Sequence, residues 1–146
     1  MPTIEDVREK IAHETGLATI AVTRDDGSVH ASVANVGVLP HPVTGEDVVG
    51  VVVRGNSVKL RLARKRGRIS VTIRHSWTWV GVEGRIDIIG PDDDYPGFDA
   101  DRVRLLLRTV FTAAGGTHED FGEYDRVMLE ERRTVILVKP ERILGR

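Results

Sequence analysis

The chain contains no cysteine, which removes disulfides, thiolate metal ligands and cysteine nucleophiles together. Redox chemistry in such a chain has to come from a bound cofactor. Aromatic residues make up only 5%. No apolar run approaches the roughly 18 residues of a membrane-spanning helix, so no span is expected. Net charge is almost absent, with 21 basic against 22 acidic residues and a formal charge of −1. The protein as a whole therefore does not attract polyanions, and any basic cluster has to be judged locally. The start, Met1–Asp6, lacks the basic and apolar segments of a signal peptide, so a cytoplasmic location is expected.

Two chemistries are also missing. The five histidines (His13, His30, His41, His75 and His118) show no His-Glu-x-x-His spacing. Ser32, Ser57 and Ser76 lack the Gly-x-Ser-x-Gly elbow of a serine hydrolase. Neither a metal site nor a catalytic side chain is singled out.

What is present suits one domain over residues 1–146, since about 100–200 residues per domain is usual. An apolar fraction of 40% is enough for a core. Thr3 and Asp6 read as a capping box that opens a short helix to about Thr15. Leu17–Thr23 and Ser28–Val36 are β-rich runs separated by a turn ending in Asp26-Gly27. The prolines and glycine of 39–45 predict a loop, and the apolar 47–53 a strand buried on both faces. Residues 56–66 read as a basic helix and 68–74 as a strand. The run 76–89 alternates with period two, Thr78, Val80, Val82, Gly84, Ile86 and Ile88 facing a core and Trp77 and Trp79 facing out. Helices are expected over 99–114 and from Thr117 to about Arg132, then a last strand 134–138 stopped by Pro140. About six antiparallel strands with flanking helices predict a mainly β protein, a small closed or half-open barrel.

The most informative stretch is Arg54–Leu60 (RGNSVKL). A buried strand ends at Arg54, Gly55 lets the chain turn, and Asn56 or Ser57 caps a helix whose free N–H groups form an anion site. Lys59 sits in the first helical turn, at the unfavourable end of the helix dipole. An anion there would explain it, with Arg54, Lys59 and the Ser57 hydroxyl converging on one phosphate. A solvated basic helix with an ordinary cap explains the same residues. Arg61, Arg64, Lys65, Arg66 and Arg68 extend the basic run, but no aromatic is interleaved among them and no nucleic-acid motif accompanies them, so no nucleic-acid partner is expected. Trp77 and Trp79 on one strand face call for a cover: a helix of the same chain, a second subunit, or a planar ligand at a subunit boundary.

Taken in order, 27–35 (GSVHASVAN), 54–60 (RGNSVKL), 77–84 (WTWVGVEG), 90–92 (GPD), 113–120 (AAGGTHED) and 123–128 (EYDRVM) resemble the flavin/deazaflavin oxidoreductase superfamily, related to pyridoxamine 5′-phosphate oxidases. Within it they resemble the coenzyme F420-dependent group. The resemblance covers nearly the whole chain. It implies an FMN-binding-type split β-barrel, a homodimer, and cofactor clefts at the subunit interface. The cofactor it implies is the deazaflavin coenzyme F420, with FMN as the alternative. Ser32, Val33 and Asn35 would lie along the tricyclic ring, Arg54, Gly55, Asn56, Ser57, Lys59 and Leu60 would hold the phosphate, and Trp77 and Trp79 would line the dimer cleft. Ser76 replaces a glycine usual in that group, and Arg61 stands where an Arg-Asn pair is common. The expected activity is hydride transfer from reduced deazaflavin to a small conjugated acceptor. The alternatives are an FMN-dependent oxidoreductase and a cofactor carrier without turnover.

Overall fold

A computed structural model describes residues 1–146, the Glu14 side chain excepted. Eleven elements follow in order: α1 (Ile4–Glu14), β1 (Leu17–Thr23), β2 (Val29–Pro40), β3 (Asp47–Val53), α2 (Val58–Arg66), β4 (Arg68–His75), β5 (Thr78–Ile89), α3 (Ala100–Ala113), α4 (Phe121–Glu130), β6 (Thr134–Val138) and β7 (Arg142–Gly145). Every strand pairing is antiparallel. The strands run β4-β1-β2-β3-β6-β5, and β4 also pairs with β5, so six strands close a barrel. The alternation expected of β4 and β5 holds at Ile69, Val71, Ile73, Val80 and Val82, all buried in the barrel core, but not at the ends of β5, where Thr78 is exposed and Ile89 is buried in a second cluster.

Closure is uneven, and β2 is the reason. Its first half, from Val29 to Asn35, pairs with β1, and its second half, from Val36 to Pro40, pairs with β3. The strand runs four residues beyond the expected Val36, because Pro40 sits at its last position, where a missing N–H is tolerated. Between the two pairings β2 leaves β3, and the barrel is split there. The loop that follows folds round His41, which is buried. Its Nδ1 accepts from the Val43 and Thr44 N–H groups (3.1 and 3.3 Å), and its Nε2 lies 2.8 Å from Asp87 Oδ2. These acceptor contacts put the ring proton on Nε2, donating to Asp87.

A second irregularity explains β7, a strand the sequence reading does not contain. β6 and β7 run along the same edge of β5, joined by Lys139, Pro140 and Glu141. Three residues there oppose two of β5, Gly84 and Arg85, which is a β-bulge. Pro140 interrupts the ladder without ending it. The Lys139 N–H still bonds to Arg85 O (2.9 Å), and the Glu141 carboxylate accepts from the Arg85 N–H (2.5 Å).

The helices cover the barrel ends. α1 and α2 complete the barrel core through Val7, Ile11, Leu60, Leu62 and Ala63, whereas α3 and α4 build a second apolar cluster outside β3 and β6. Gly37 lets the end of α3 rest on β2, since a Cβ there would fall 2.3 Å from the Ala113 carbonyl carbon. The fourth helix starts at Phe121 because its cap is Asp120, three residues after the expected Thr117, and accepts from the Glu123 N–H (3.2 Å).

Candidate functional site

A cleft of about 470 Å³ opens where β2 parts from β3. One wall is the β2 edge at Val33, Ala34 and Asn35; the opposite side is the end of β3 with the start of α2; α3 and α4 supply Val110, Phe111 and Met128. The β2 edge has backbone groups to offer. Val36 donates its N–H to Gly16 O (2.7 Å), towards β1. Successive residues of a strand aim their N–H and C=O groups at opposite edges. Asn35 and Val33 therefore direct theirs away from β1, into the split. The Asn35 side chain is committed elsewhere, donating to Thr15 O (2.8 Å).

The other end of the cleft is cationic, and each charge has a local reason to be there. Arg54 follows the last residue of β3. The turn then packs closely on the end of α4, where a Cβ at Gly55 would lie 2.6 Å from Arg132 O. Ser57 caps α2, its hydroxyl accepting from the Leu60 N–H (3.3 Å), and Lys59 occupies the first turn beyond it. The Val58 and Lys59 N–H groups at this helix start have no intrahelical acceptor. Opposite stands Arg133, which the sequence reading missed. Helix α4 ends in a Schellman motif: the Arg133 N–H bonds to Met128 O (2.9 Å) and the Arg132 N–H to Leu129 O (3.1 Å). Arg132 holds the left-handed position at φ 49°. Glycine is the usual residue there; an arginine gives no stop signal, so nothing in the sequence marked Arg133 as the residue turned into the cleft.

Glu131 neutralises part of this charge, 3.2 Å from Arg54 and 3.2 Å from Arg133. Lys59 has no carboxylate partner among the described residues. Burial, and secondarily the Arg133 charge, hold its pKa below the ordinary lysine value. Below its lowered pKa the group is a half-buried, unpaired ammonium. That combination is unfavourable in an empty protein and suits one that binds an anion. The titration has a definite sign. Between the lowered pKa and the unfolded value near 10.5, the unfolded chain binds more protons, so stability contributed by this group rises with pH. A bound anion restores the proton. Anion binding in that alkaline window is therefore expected to take up protons, visible as a dependence of calorimetric heat on the buffer's ionisation enthalpy; no dependence would count against Lys59 as the anion ligand.

Tyr124 also lines the cleft, with its pKa pushed up to about 12 by burial. Its hydroxyl stays protonated and donates to Leu107 O (3.1 Å), tying α4 to α3. His118 steadies the start of α4, its Nδ1 accepting from the Asp120 N–H (3.0 Å).

The remaining sequence-predicted residues are placed differently. Leu60 is fully buried in the barrel core. Gly55 shapes the turn, and Asn56 is exposed beside it. The Ser32 hydroxyl and His30 Nδ1, on the inner side of the same β2 segment, are buried without a hydrogen-bond partner. Trp77 is 93% exposed and Trp79 38% exposed, so no helix of the same chain covers both. Neither lines the cleft within one chain. Of the further cations of the basic run, Arg64 pairs with Asp93 (2.5 Å) and Lys65 with Asp25 (3.3 Å). Arg61 is exposed and without a partner among the described residues.

The fold recurs in solved structures. The fold is the FMN-binding split barrel. A pyridoxamine 5′-phosphate oxidase-related, FMN-binding protein from Nostoc punctiforme matches with a TM-score of 0.67 at 10% identity, over 99% of this chain and 83% of its own. A conserved hypothetical protein from Mycobacterium tuberculosis matches with a TM-score of 0.69 at 15% identity, over 99% and 84%. An F420 reductase matches with a TM-score of 0.61 at 14% identity, over 93% and 94%. A heme binding protein from Mycobacterium smegmatis and a heme storage protein from Vibrio cholerae are among the matches too. At these identities the likeness shows the fold. No family model and no curated protein matches the chain.

Among the described residues no group of three or more His, Cys, Asp or Glu could hold a metal ion. No helix is long and apolar enough to cross a membrane.

Proposed function

We propose that the protein is a flavin-type oxidoreductase of the split-barrel class, taking coenzyme F420, with FMN as the alternative. The observation that carries this reading is Lys59: an unpaired, half-buried cation at a helix start, at one end of a largely apolar cleft. The residues present fit a phosphate-bearing planar ring. Lys59, Arg133, the Ser57 hydroxyl and the free N–H groups of α2 would take the phosphate. The backbone of Val33 and Asn35 would meet the ring edge, with Val110, Phe111 and Met128 as apolar wall. Bound there, the cofactor supplies hydride transfer, and the protein binds it, orients it and excludes water. F420 is preferred over FMN on the resemblance of the sequence motifs and the structural likeness to an F420 reductase; beyond Lys59, Arg61 is the one cation of α2 without a carboxylate partner among the described residues and could meet the anionic tail that F420 has and FMN lacks.

The chain is proposed to act as a homodimer. Residues directly opposed in register share a sheet face. Val29, Ala31 and Val33 of β2 lie beside Thr23, Ala21 and Thr19 of β1, and Ser70 and Thr72 of β4 continue the row. None of these eight side chains is charged, and Val33 is 60% exposed. Trp79 extends the same face from β5, opposite Arg74 of β4. A second copy laid on this face would cover it and close the cleft, which Val33 also borders. Light scattering is expected to give twice the chain mass, and Thr19→Arg, which puts a charge at the centre of the face, to give the monomer. A monomeric wild type would refute the dimer.

Turnover is tested by following oxidation of reduced F420 with a panel of conjugated acceptors, beside reduced FMN. Oxidation dependent on the protein supports the reading. Turnover with reduced FMN alone selects the alternative cofactor. Binding without turnover for any acceptor identifies a carrier.

A further inference from the structure

A second cavity, of about 750 Å³, lies between the 90–99 loop, α3 and α4. It falls within the roughly 300–1,000 Å³ typical of small-molecule sites. Its apolar lining comes from Phe98, Val103, Leu107, Met128 and Leu129. Met128 and Arg133 line the β2–β3 cleft as well, so the two spaces share a wall.

The arginines around this cavity are paired with carboxylates, Asp99 caps α3 by accepting from the Arg102 N–H (2.8 Å), and of the lining charges Asp94, which is exposed, is the one without a partner among the described residues. Arg104 pairs with Asp101 (2.7 Å) and Asp125 (3.2 Å), and Arg126 with Glu130 (2.7 Å). Arg133 pairs with Glu131 (3.2 Å). An anionic ligand would have to displace these carboxylates to be recognised, and a cationic one would meet only the solvent-exposed Asp94, whereas an uncharged one would leave the pairs intact. The anion-binding cleft next door, with its unpaired Lys59, has the opposite character. We infer that the α3–α4 cavity is a separate binding site for an uncharged, largely apolar small molecule. This inference does not depend on the identity of the cofactor in the cleft.

The test uses the neutral dye Nile red with the full chain and no added cofactor. Saturable binding with enhanced fluorescence is expected. Ala100→Trp, at the exposed first residue of α3 on the cavity wall, fills the space; Leu129→Asp puts a charge into its lining. Each is expected to weaken dye binding at least about tenfold, with an unchanged melting temperature confirming the fold. The inference is overturned by no saturable binding or by binding unchanged in both cavity variants. None of these outcomes bears on the redox reading, which is measured with the cofactors.

Discussion

Replacing Lys59 by alanine is expected to weaken binding of the phosphate-bearing cofactor by about one to two orders of magnitude, since a charge-assisted hydrogen bond contributes roughly 1.5–3 kcal/mol. The fold should survive, because the side chain makes no ion pair in the protein. Its removal relieves a half-buried charge, so the melting temperature is expected to stay level or rise slightly. Arg133→Ala should lower affinity as well, but by less, since Glu131 already shares its charge. Arg54 pairs with the same carboxylate and is more exposed, so its replacement should matter least. Calorimetric titration of the three variants gives the order directly. Unchanged affinity in Lys59→Ala would place the phosphate elsewhere.

A second large effect is expected at Gly84, far from the cleft. A Cβ there would fall 1.9 Å from Lys139 O, a backbone atom of the β6–β7 bulge. No side-chain rotation relieves such a contact, so Gly84→Ala has to move either β5 or the bulge. We expect a loss of about 2–4 kcal/mol, within the range of overpacking and broken backbone pairing. That corresponds to a melting temperature lower by roughly 10 °C. Gly81, three residues earlier on the same strand, is the contrast. Its nearest neighbour would be the Trp79 ring at 3.4 Å, an ordinary contact. Gly81→Ala should stay within about 1 kcal/mol of the parent. Equal melting temperatures for the two variants would show that the bulge is not held where it is described.

The sequence was informative where local rules act alone. Alternation in 68–74 and 76–89 placed the core faces of β4 and the middle of β5, Gly27 marked the turn between β1 and β2, and Thr3 and Asp6 the cap of α1. The Arg54–Lys59 segment disclosed the cationic end of the cleft, because a helix start after a buried strand is a local pattern. Other features depend on pairings between distant residues. The cleft exists because β2 changes partner between Asn35 and Val36, and an alternating strand carries no mark of which neighbour each half will meet. Pro140 reads as a stop, yet a bulge absorbs it and β7 continues along β5. Arg133 was hidden by Arg132 in a position that usually announces itself with glycine. Leu60 sits beside the binding residues in sequence and belongs to the core in space. Its helical neighbours Leu62 and Ala63 are buried with it, and Lys59 is turned the other way.

The central claim is that the cleft at the barrel's split is built for a flavin-type cofactor. Its most direct test is an equilibrium titration of the purified protein with F420, FMN and heme separately, followed by absorbance and fluorescence. The account predicts saturable binding of F420 or FMN, weakened at least about tenfold by Lys59→Ala. Binding of heme alone, or of none of the three, would contradict it.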